Sequence, residues 1–414
     1  MSTKRFLQVA IDTPVARLFD YLAPAHWPDA ALTPGVRVRV PFGRRETVAV
    51  LVRVSDASEV PPAKLKAALR LLDERPVIDA ALLALLEWAW RYYRHPPGEV
   101  VAAALPAGLR KGGEATAMLT TWHATPAGQA VNLTALARRA PRQAALLAAV
   151  LRTPGATDSA LADQGRGWRD AARALKTKEL VETRVSAPTV SRPIAAVTPG
   201  PPLNDAQRAA VTAIDAAAGH FEALLLDGVT GSGKTEVYLH AIEAVLARGE
   251  QALVLVPEIG LTPQTIRRFE KRLGVPLAVL HSGLPAGARL AAWRDARSGA
   301  CPVVVGTRSA VFAGLRAPGL IVVDEEHDAS FKQHEGFRYS ARDLAVVRAQ
   351  RLGIPVVLGS ATPALESLDN ARRSRYRRLS LPERPGAATP PTVRLIDLQR
   401  EASQQGLSGS LLRA

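Results

Sequence analysis

The sequence predicts an α/β chain whose C-terminal half is a parallel sheet with helices on both faces. Three observations predict it. Apolar runs at residues 223–226, 252–256, 303–305, 320–323 and 356–358 alternate with helical segments, the pattern of strands buried on both faces. A glycine-rich loop of phosphate-binding form follows the first run, and an acidic cluster follows the fourth. Ahead of this half the pattern differs, first β-rich and then made of short helices.

The bulk composition sets the frame. A length of 414 residues allows two to four domains. A hydrophobic share of 47% fits a soluble globular protein, and no apolar run approaches the roughly 18 residues that would span a bilayer. The N-terminus carries Lys4 and Arg5 but no long apolar stretch, so no secretory signal is expected. The single cysteine, Cys301, excludes an internal disulfide and a cysteine cluster for structural zinc. A cytoplasmic location with no membrane contact is the expectation. Fifty-three Lys and Arg against 38 acidic residues give +15 and favour polyanionic partners, because neutralised phosphates release counterions. An Ala- and Arg-rich composition accounts for the same charge, so charge alone does not decide.

Taken in order, residues 1–105 open with short β-rich runs at 36–40 and 48–54, joined by the turn-prone Pro41-Phe42-Gly43-Arg44-Arg45. Alternation of Val with Arg over 36–40 predicts a half-solvated strand. A Leu-, Ala- and Trp-rich helix is expected at 79–93. Residues 106–187 give three short helices, at 141–151, 157–163 and 167–176, then a strand at 180–185, which suggests a winged-helix module. Five prolines (Pro188, Pro193, Pro199, Pro201 and Pro202) make 188–202 an extended linker. The sheet-forming segment is 203–380. The tail, 381–414, is rich in Pro, Gly, Ser and Gln and reads as loosely structured.

The chemistry concentrates in two motifs. Gly228-Val229-Thr230-Gly231-Ser232-Gly233-Lys234-Thr235 fits G-x-x-x-x-G-K-[ST] at every fixed position, with a strand before it and a helix after it. Its glycines let backbone N–H groups wrap a phosphate, Lys234 would reach the β- and γ-phosphates, and Thr235 would ligate Mg²⁺. Asp324-Glu325-Glu326-His327 follows a buried strand, where Mg²⁺ needs a second anchor; Asp324 suits that role, and Glu325 suits polarising the attacking water. The pair predicts a lobe that hydrolyses a nucleoside triphosphate.

Asp324-Glu325-Glu326-His327 resembles the DEEH form of motif II in superfamily 2 helicases, and neighbouring segments follow in the order such helicases use. Leu203-Asn204-Asp205-Ala206-Gln207 resembles the glutamine motif, which implies that Gln207 reads adenine. Residues 255–264, with Thr262, resemble motif Ia; residues 305–310, with Thr307, Arg308 and Ser309, resemble motif Ib; Ser360-Ala361-Thr362 has the form of motif III. Loops of the Ia and Ib kind can grip single-stranded DNA phosphates without reading bases. Taken alone, Ser360-Ala361-Thr362 is better explained as a plain helix cap before Pro363. Together, residues 228–236, 257–264 and 306–312 resemble the PriA family of replication-restart helicases.

That resemblance implies a RecA-like P-loop lobe, ATP-driven 3′→5′ unwinding, recognition of branched and single-stranded DNA at stalled forks, nucleoid association and assembly with other primosome proteins. The loop 331–339 interleaves Phe331, Phe337 and Tyr339 with Lys332 and Arg338, and resembles the family's aromatic-rich loop coupling DNA to ATP turnover; a partly buried structural loop is the alternative. Residues 1–105 resemble the domain that holds a 3′ DNA end, which implies a pocket of Phe19, Asp20, Gly43 and Lys66. Trp88 and Tyr92, four apart on the expected helix, read as core by spacing, whereas the resemblance implies part of a docking site for the tail of single-stranded DNA-binding protein. Family members are longer. The second RecA-like lobe with its arginine finger and the eight-cysteine zinc-binding insertion have no counterpart in these 414 residues, which predicts a chain that binds DNA but turns over ATP poorly alone. On that reading it is the ATP-binding part of a motor or a fork-binding adaptor. A transporter ATPase lacks support, since no L-S-G-G-Q-like sequence follows the P-loop.

Overall fold

The computed structural model describes residues 5–115, 119–162, 165, 167–186, 199–384, 397, 403–404 and 407–408. Most of the expected linker (188–198) and most of the tail lie outside these residues. Strands β1 (Phe6–Ile11), β2 (Phe19–Leu22), β3 (Arg37–Phe42), β4 (Arg45–Ser55) and β5 (Arg70–Leu71) form an antiparallel sheet of order β2-β1-β4-β3-β5. Strands β3 and β4 pair from Arg37 opposite Val50 to Phe42 opposite Arg45, so the predicted turn at Gly43 is a tight hairpin.

One expectation for this sheet fails in part. Val36, Val38 and Val40 are buried on one face and Arg39 is partly exposed on the other, as a half-solvated strand requires, but Arg37 on that second face is only 1% exposed. The guanidinium of Arg37 donates to both carboxylate oxygens of Asp73, at 2.9 and 2.7 Å, and to the carbonyls of Leu109 and Gly113. A buried charge is tolerable when paired and fully hydrogen-bonded, and this one is.

Helices α1 (Ala80–Tyr92), α2 (Pro97–Ala103) and α3 (Ala107–Arg110) follow. Asp79 caps α1, its side chain accepting from the Leu82 N–H, and Leu82, Leu83, Leu85, Leu86, Ala89 and Trp90 form the buried face. Strand β6 (Leu119–Ala124), α4 (Pro126–Gln129), α5 (Leu133–Arg139), α6 (Pro141–Arg152), β7 (Ala156–Thr157), α7 (Asp158–Ala162), α8 (Trp168–Thr177) and β8 (Val181–Ser186) make short helices against an antiparallel sheet of order β7-β6-β8. The three helices expected here form, within a residue or two of their predicted ends. Residue 163 lies outside the described residues.

The remaining elements build the parallel sheet: α9 (Asp205–Ala216), β9 (Ala223–Gly228), α10 (Lys234–Ala247), β10 (Gln251–Leu255), α11 (Pro263–Leu273), β11 (Leu277–Leu280), α12 (Ala286–Ser298), β12 (Val303–Gly306), β13 (Pro318–Asp324), α13 (Ala341–Leu352), β14 (Val356–Ser360), α14 (Leu365–Arg372) and β15 (Arg377–Leu381). All seven strands run parallel, in order β11-β12-β10-β13-β14-β9-β15. Side chains of a strand alternate faces, and the two cores follow. Ala252 and Val254 of β10 with Leu320 and Val322 of β13 pack against α9, α10 and α11. Leu253 and Leu255 with Ile321 and Val323 pack on the opposite face against α12 and α13, in a core that also takes in α1 and α2. The N-terminal helices are thus built into the parallel sheet's second face.

Candidate functional site

Strand β9 delivers its chain end to the loop 228–233, and α10 departs from it. Gly231 and Gly233 hold φ of +79° and +85°, where a side chain would be strained. A Cβ on Gly228 would meet the Ser232 hydroxyl at 2.5 Å. Lys234 is buried, with Nζ 3.0 Å from the Gly228 carbonyl oxygen and 3.8 Å from Glu325 Oε1. The loop therefore folds back on its own lysine. The buried Ser232 hydroxyl has no hydrogen-bond partner among the described residues. Thr230 and Gly231 are exposed, and Thr235 is half-buried at the first turn of α10. An ammonium, a helix start and an unpartnered hydroxyl around left-handed glycines fit a polyphosphate.

Gln207 is placed differently from expectation. Its side-chain oxygen accepts from the Asn204 N–H, completing a capping box at the start of α9, while its amide nitrogen donates to the Ser232 carbonyl at 2.8 Å. The residue is 3% exposed and braces the phosphate loop, leaving little of its amide to read a base.

Asp324 ends β13 between β10 and β14. The Tyr238 hydroxyl donates to its Oδ1 at 3.0 Å. Burial, then the neighbouring Glu325 charge, raises the Asp324 carboxyl above its ordinary value, with Tyr238 and Lys234 acting against the rise. Glu325 sits at φ +47°, a left-handed backbone uncommon outside glycine and asparagine. That turn aims Glu325 at Lys234.

Within the tetrad Glu326 turns the opposite way, while His327 stays beside Glu325, its Nδ1 3.6 Å from Glu325 Oε2. Glu326 is 1% exposed and accepts from the Ala364 N–H at 2.7 Å, the Ser367 hydroxyl at 2.9 Å and Arg342 at 3.1 Å. His327 Nδ1 lies 2.7 Å from Ser360 Oγ and Nε2 lies 3.4 Å from Thr362 Oγ1. Ser360 and Thr362 therefore meet the acidic tetrad. They do not cap the next helix: α14 begins after Ala364 without a side-chain cap. Sequence reasoning missed Tyr238, Glu326 and His327 as site residues. Their position inside or three residues after a motif was the available signal.

On the N-terminal sheet, Phe19, Asp20, Gly43 and Lys66 all line one cavity of about 1400 Å³. Its wall also carries Arg17, Arg53, Lys64, Arg91 and Arg94 against Asp20 and Glu59, an excess of positive charge. Phe19 meets Phe42 edge-on with centroids 5.3 Å apart, and Arg17 lies over the Phe19 ring at 5.5 Å. Asp20 accepts from the Ser58 hydroxyl at 2.5 Å. Gly43 has φ +63°, and a Cβ there would meet nothing within 4 Å.

The expected single-strand contacts divide. Thr262 is exposed and caps α11. Thr307 is buried, 4% exposed, and one guanidinium nitrogen of Arg308 donates to the Ser330 and Lys332 carbonyls. Both are part of the scaffold in this arrangement, and Ser309 faces solvent. In the loop 331–339 the aromatic side chains turn in and the polar ones out. Lys332 and Arg338 are exposed, but Phe337 is 7% exposed, stacked on Tyr339 at 4.8 Å and against Tyr93 at 5.8 Å. Apolar burial overrides exposure to a base there, the structural alternative weighed for this loop. Trp88 is half-buried against the core, as its spacing predicts, whereas Tyr92 is 65% exposed; the two rings stack at 4.6 Å beside a cavity of about 400 Å³.

Residues 8–106 match the 3′DNA-binding domain of PriA, and residues 204–371 match the DEAD/DEAH box helicase family. The replication restart protein PriA of Haemophilus influenzae is 42% identical over 421 residues, spanning 99% of this chain and 56% of its own length. That of Bacillus subtilis is 33% identical over 468 residues, spanning 96% and 58%. The chain thus spans little more than half the length of these curated relatives. Among solved structures, RecG bound to a three-way DNA junction is similar with a TM-score of 0.36 and 24% identity, over 46% of this chain and 25% of that one. A DNA-bound helicase, MrfA, gives 0.33 and 14% over 46% and 31%. With a phosphate loop, an acidic tetrad and a DNA-end domain matched along one sequence, the chain belongs to the PriA family.

Proposed function

We propose that this chain is the DNA-end-binding and ATP-binding portion of a 3′→5′ replication-restart helicase. It would recognise branched DNA at stalled forks and take part in reloading the replication machinery with other primosome proteins. Residues 1–105 would hold the 3′ end, 106–187 would serve as a winged-helix module, 188–202 as a linker, and 203–380 as the first RecA-like helicase lobe. The observation that carries this reading is the meeting of Lys234 with Glu325 at 3.8 Å on a sheet whose core continues into the domain holding the Phe19–Lys66 cavity.

Gly228, Thr230, Gly231, Ser232 and Gly233 would wrap the phosphates of ATP, with Lys234 opposite their charge. Thr235 and Asp324 would hold Mg²⁺, which supplies charge to offset that of the phosphates when bound. Glu325, displaced from Lys234, would accept a proton from water, and His327 with Ser360 would relay the state of that carboxylate toward α14. In the cavity, Phe19 would stack on the terminal base, Asp20 would accept from the 3′-hydroxyl and Lys66 would meet a phosphate. Lys332 and Arg338 would contribute to the strand track. The stacked Trp88 and Tyr92, beside Arg91 and Arg351, would take the acidic tail of single-stranded DNA-binding protein. Nucleoid association in the cytoplasm would follow from these contacts.

The DNA-end reading is tested by competition binding. DNA ending in a 3′-hydroxyl should bind at least roughly tenfold better than the same DNA ending in a 3′-phosphate, the scale of one hydrogen bond to a charged group at about 1.5 kcal/mol. Asp20→Asn should narrow that difference. Equal affinity for both ends would remove Asp20 from its role.

A further inference from the structure

We propose that the exposed basic face of α11 docks the phosphate backbone of a duplex DNA arm. The inference rests on the DNA-binding reading above and adds a surface to it. Helix α11 turns Phe269, Arg272 and Leu273 inward. Gln264, Arg267, Arg268 and Lys271 are exposed at spacings of three and four, so they share one face. That face borders a cavity of about 440 Å³, closed on its other side by Pro199 and Pro201.

The cations on α11 are not equivalent. Arg268 donates to Glu236 at 2.6 Å, and buried Arg272 lies 3.6 Å from Glu236 and pairs with Glu243. Those two hold α11 against α10. Arg267 and Lys271 have no ion-pair partner among the described residues; Glu270, the one carboxylate of the helix, does not line the cavity, and Glu236, which does, is matched by Arg268 and Arg272. Lys271 in the last turn also suits the helix dipole, but Arg267 lies ahead of that turn. Their charges repeat about 6 Å apart along the axis.

Chemistry selects the kind of nucleic acid. Surfaces that hold single strands combine cations with aromatic rings on which bases stack. Among the described residues, no aromatic side chain lines this cavity. Cations without a stacking platform suit a backbone whose bases are paired and turned inward. The helix starts at Thr262, on the proposed single-strand track, and Lys271 is about 13 Å further along. A duplex following the unwound strand would meet this face next.

The test uses the full chain with Arg267→Gln and Lys271→Gln together, both at exposed positions outside the nucleotide site. Affinity is measured over a salt series for a DNA with a duplex arm and for a single-stranded oligonucleotide. Loss of two duplex phosphate contacts should lower the slope of log affinity against log salt by about 1.8 on the duplex-armed DNA, with the single-strand slope unchanged. Arg267→Lys with Lys271→Arg should restore the duplex slope. An unchanged duplex slope overturns the proposal, and so does an equal fall on both DNAs. If the unsubstituted chain binds no DNA of either kind, the underlying DNA reading fails as well, a result distinct from both.

Discussion

Asp324 and Glu325 are adjacent carboxylates in opposed environments. Burial and the charge of Glu325 push the Asp324 carboxyl up, so the folded chain binds its proton more readily than the unfolded chain does. Stability from this residue is therefore present at low pH and lost as pH rises through the raised value. Replacing the charge should reverse that loss: Asp324→Asn should melt at a higher temperature than the parent at neutral pH while losing Mg²⁺-dependent nucleotide affinity. A lower melting temperature would mean that Tyr238 and Lys234 outweigh burial. A single glycine guards the same carboxylate. A Cβ on Gly359 would sit 1.6 Å from the Tyr238 hydroxyl, so Gly359→Ala should push Tyr238 away from Asp324 and destabilise the fold, visible as a lowered denaturation midpoint.

Among the elements, legibility tracked how local the controlling physics is. The phosphate loop and the five inner strands were readable because left-handed glycines and apolar runs are local demands. Edge strands β11 and β15 escaped notice, since β15 reads Arg-Arg-Leu-Ser-Leu and owes its place to pairing with β9. Strand β3 was found but its solvation was misjudged in part, because Arg37 is matched by Asp73, 36 residues away. That partnership predicts its own measurement. Asp73→Ala leaves a buried guanidinium without its counter-charge and should destabilise by about 3–5 kcal/mol in chemical denaturation. A change near zero would show that the two carbonyl acceptors suffice. Of the candidate site, Phe19, Asp20, Gly43 and Lys66 do share a cavity, whereas Gln207, Thr307 and Arg308 proved to be braces. Sequence position cannot reveal which side-chain atoms neighbours already occupy.

Across the whole molecule, a continuous core joins the N-terminal helices to the parallel sheet. Leu86, Val100 and Leu109 belong to the same packed cluster as Phe312, Phe337 and Leu344. Phe337 lies where the two regions meet, in contact with Tyr93 and with His95 at 5.2 Å. Phe337→Ala should therefore lower stability by about 3–5 kcal/mol, as for other buried aromatics, while single-strand affinity changes little. A large affinity loss without loss of stability would return Phe337 to the DNA track. The same continuity places His95 in the wall of the DNA-end cavity and against the loop that follows the acidic tetrad.

The central claim is that Lys234 and Asp324 converge on one nucleoside triphosphate. Equilibrium titration of the chain with fluorescent ATP in the presence of Mg²⁺ tests it most directly. Saturable binding that is lost in Lys234→Ala, and that loses its Mg²⁺ dependence in Asp324→Asn, is the predicted result. No binding to the parent chain, or equal binding to Lys234→Ala, would contradict it.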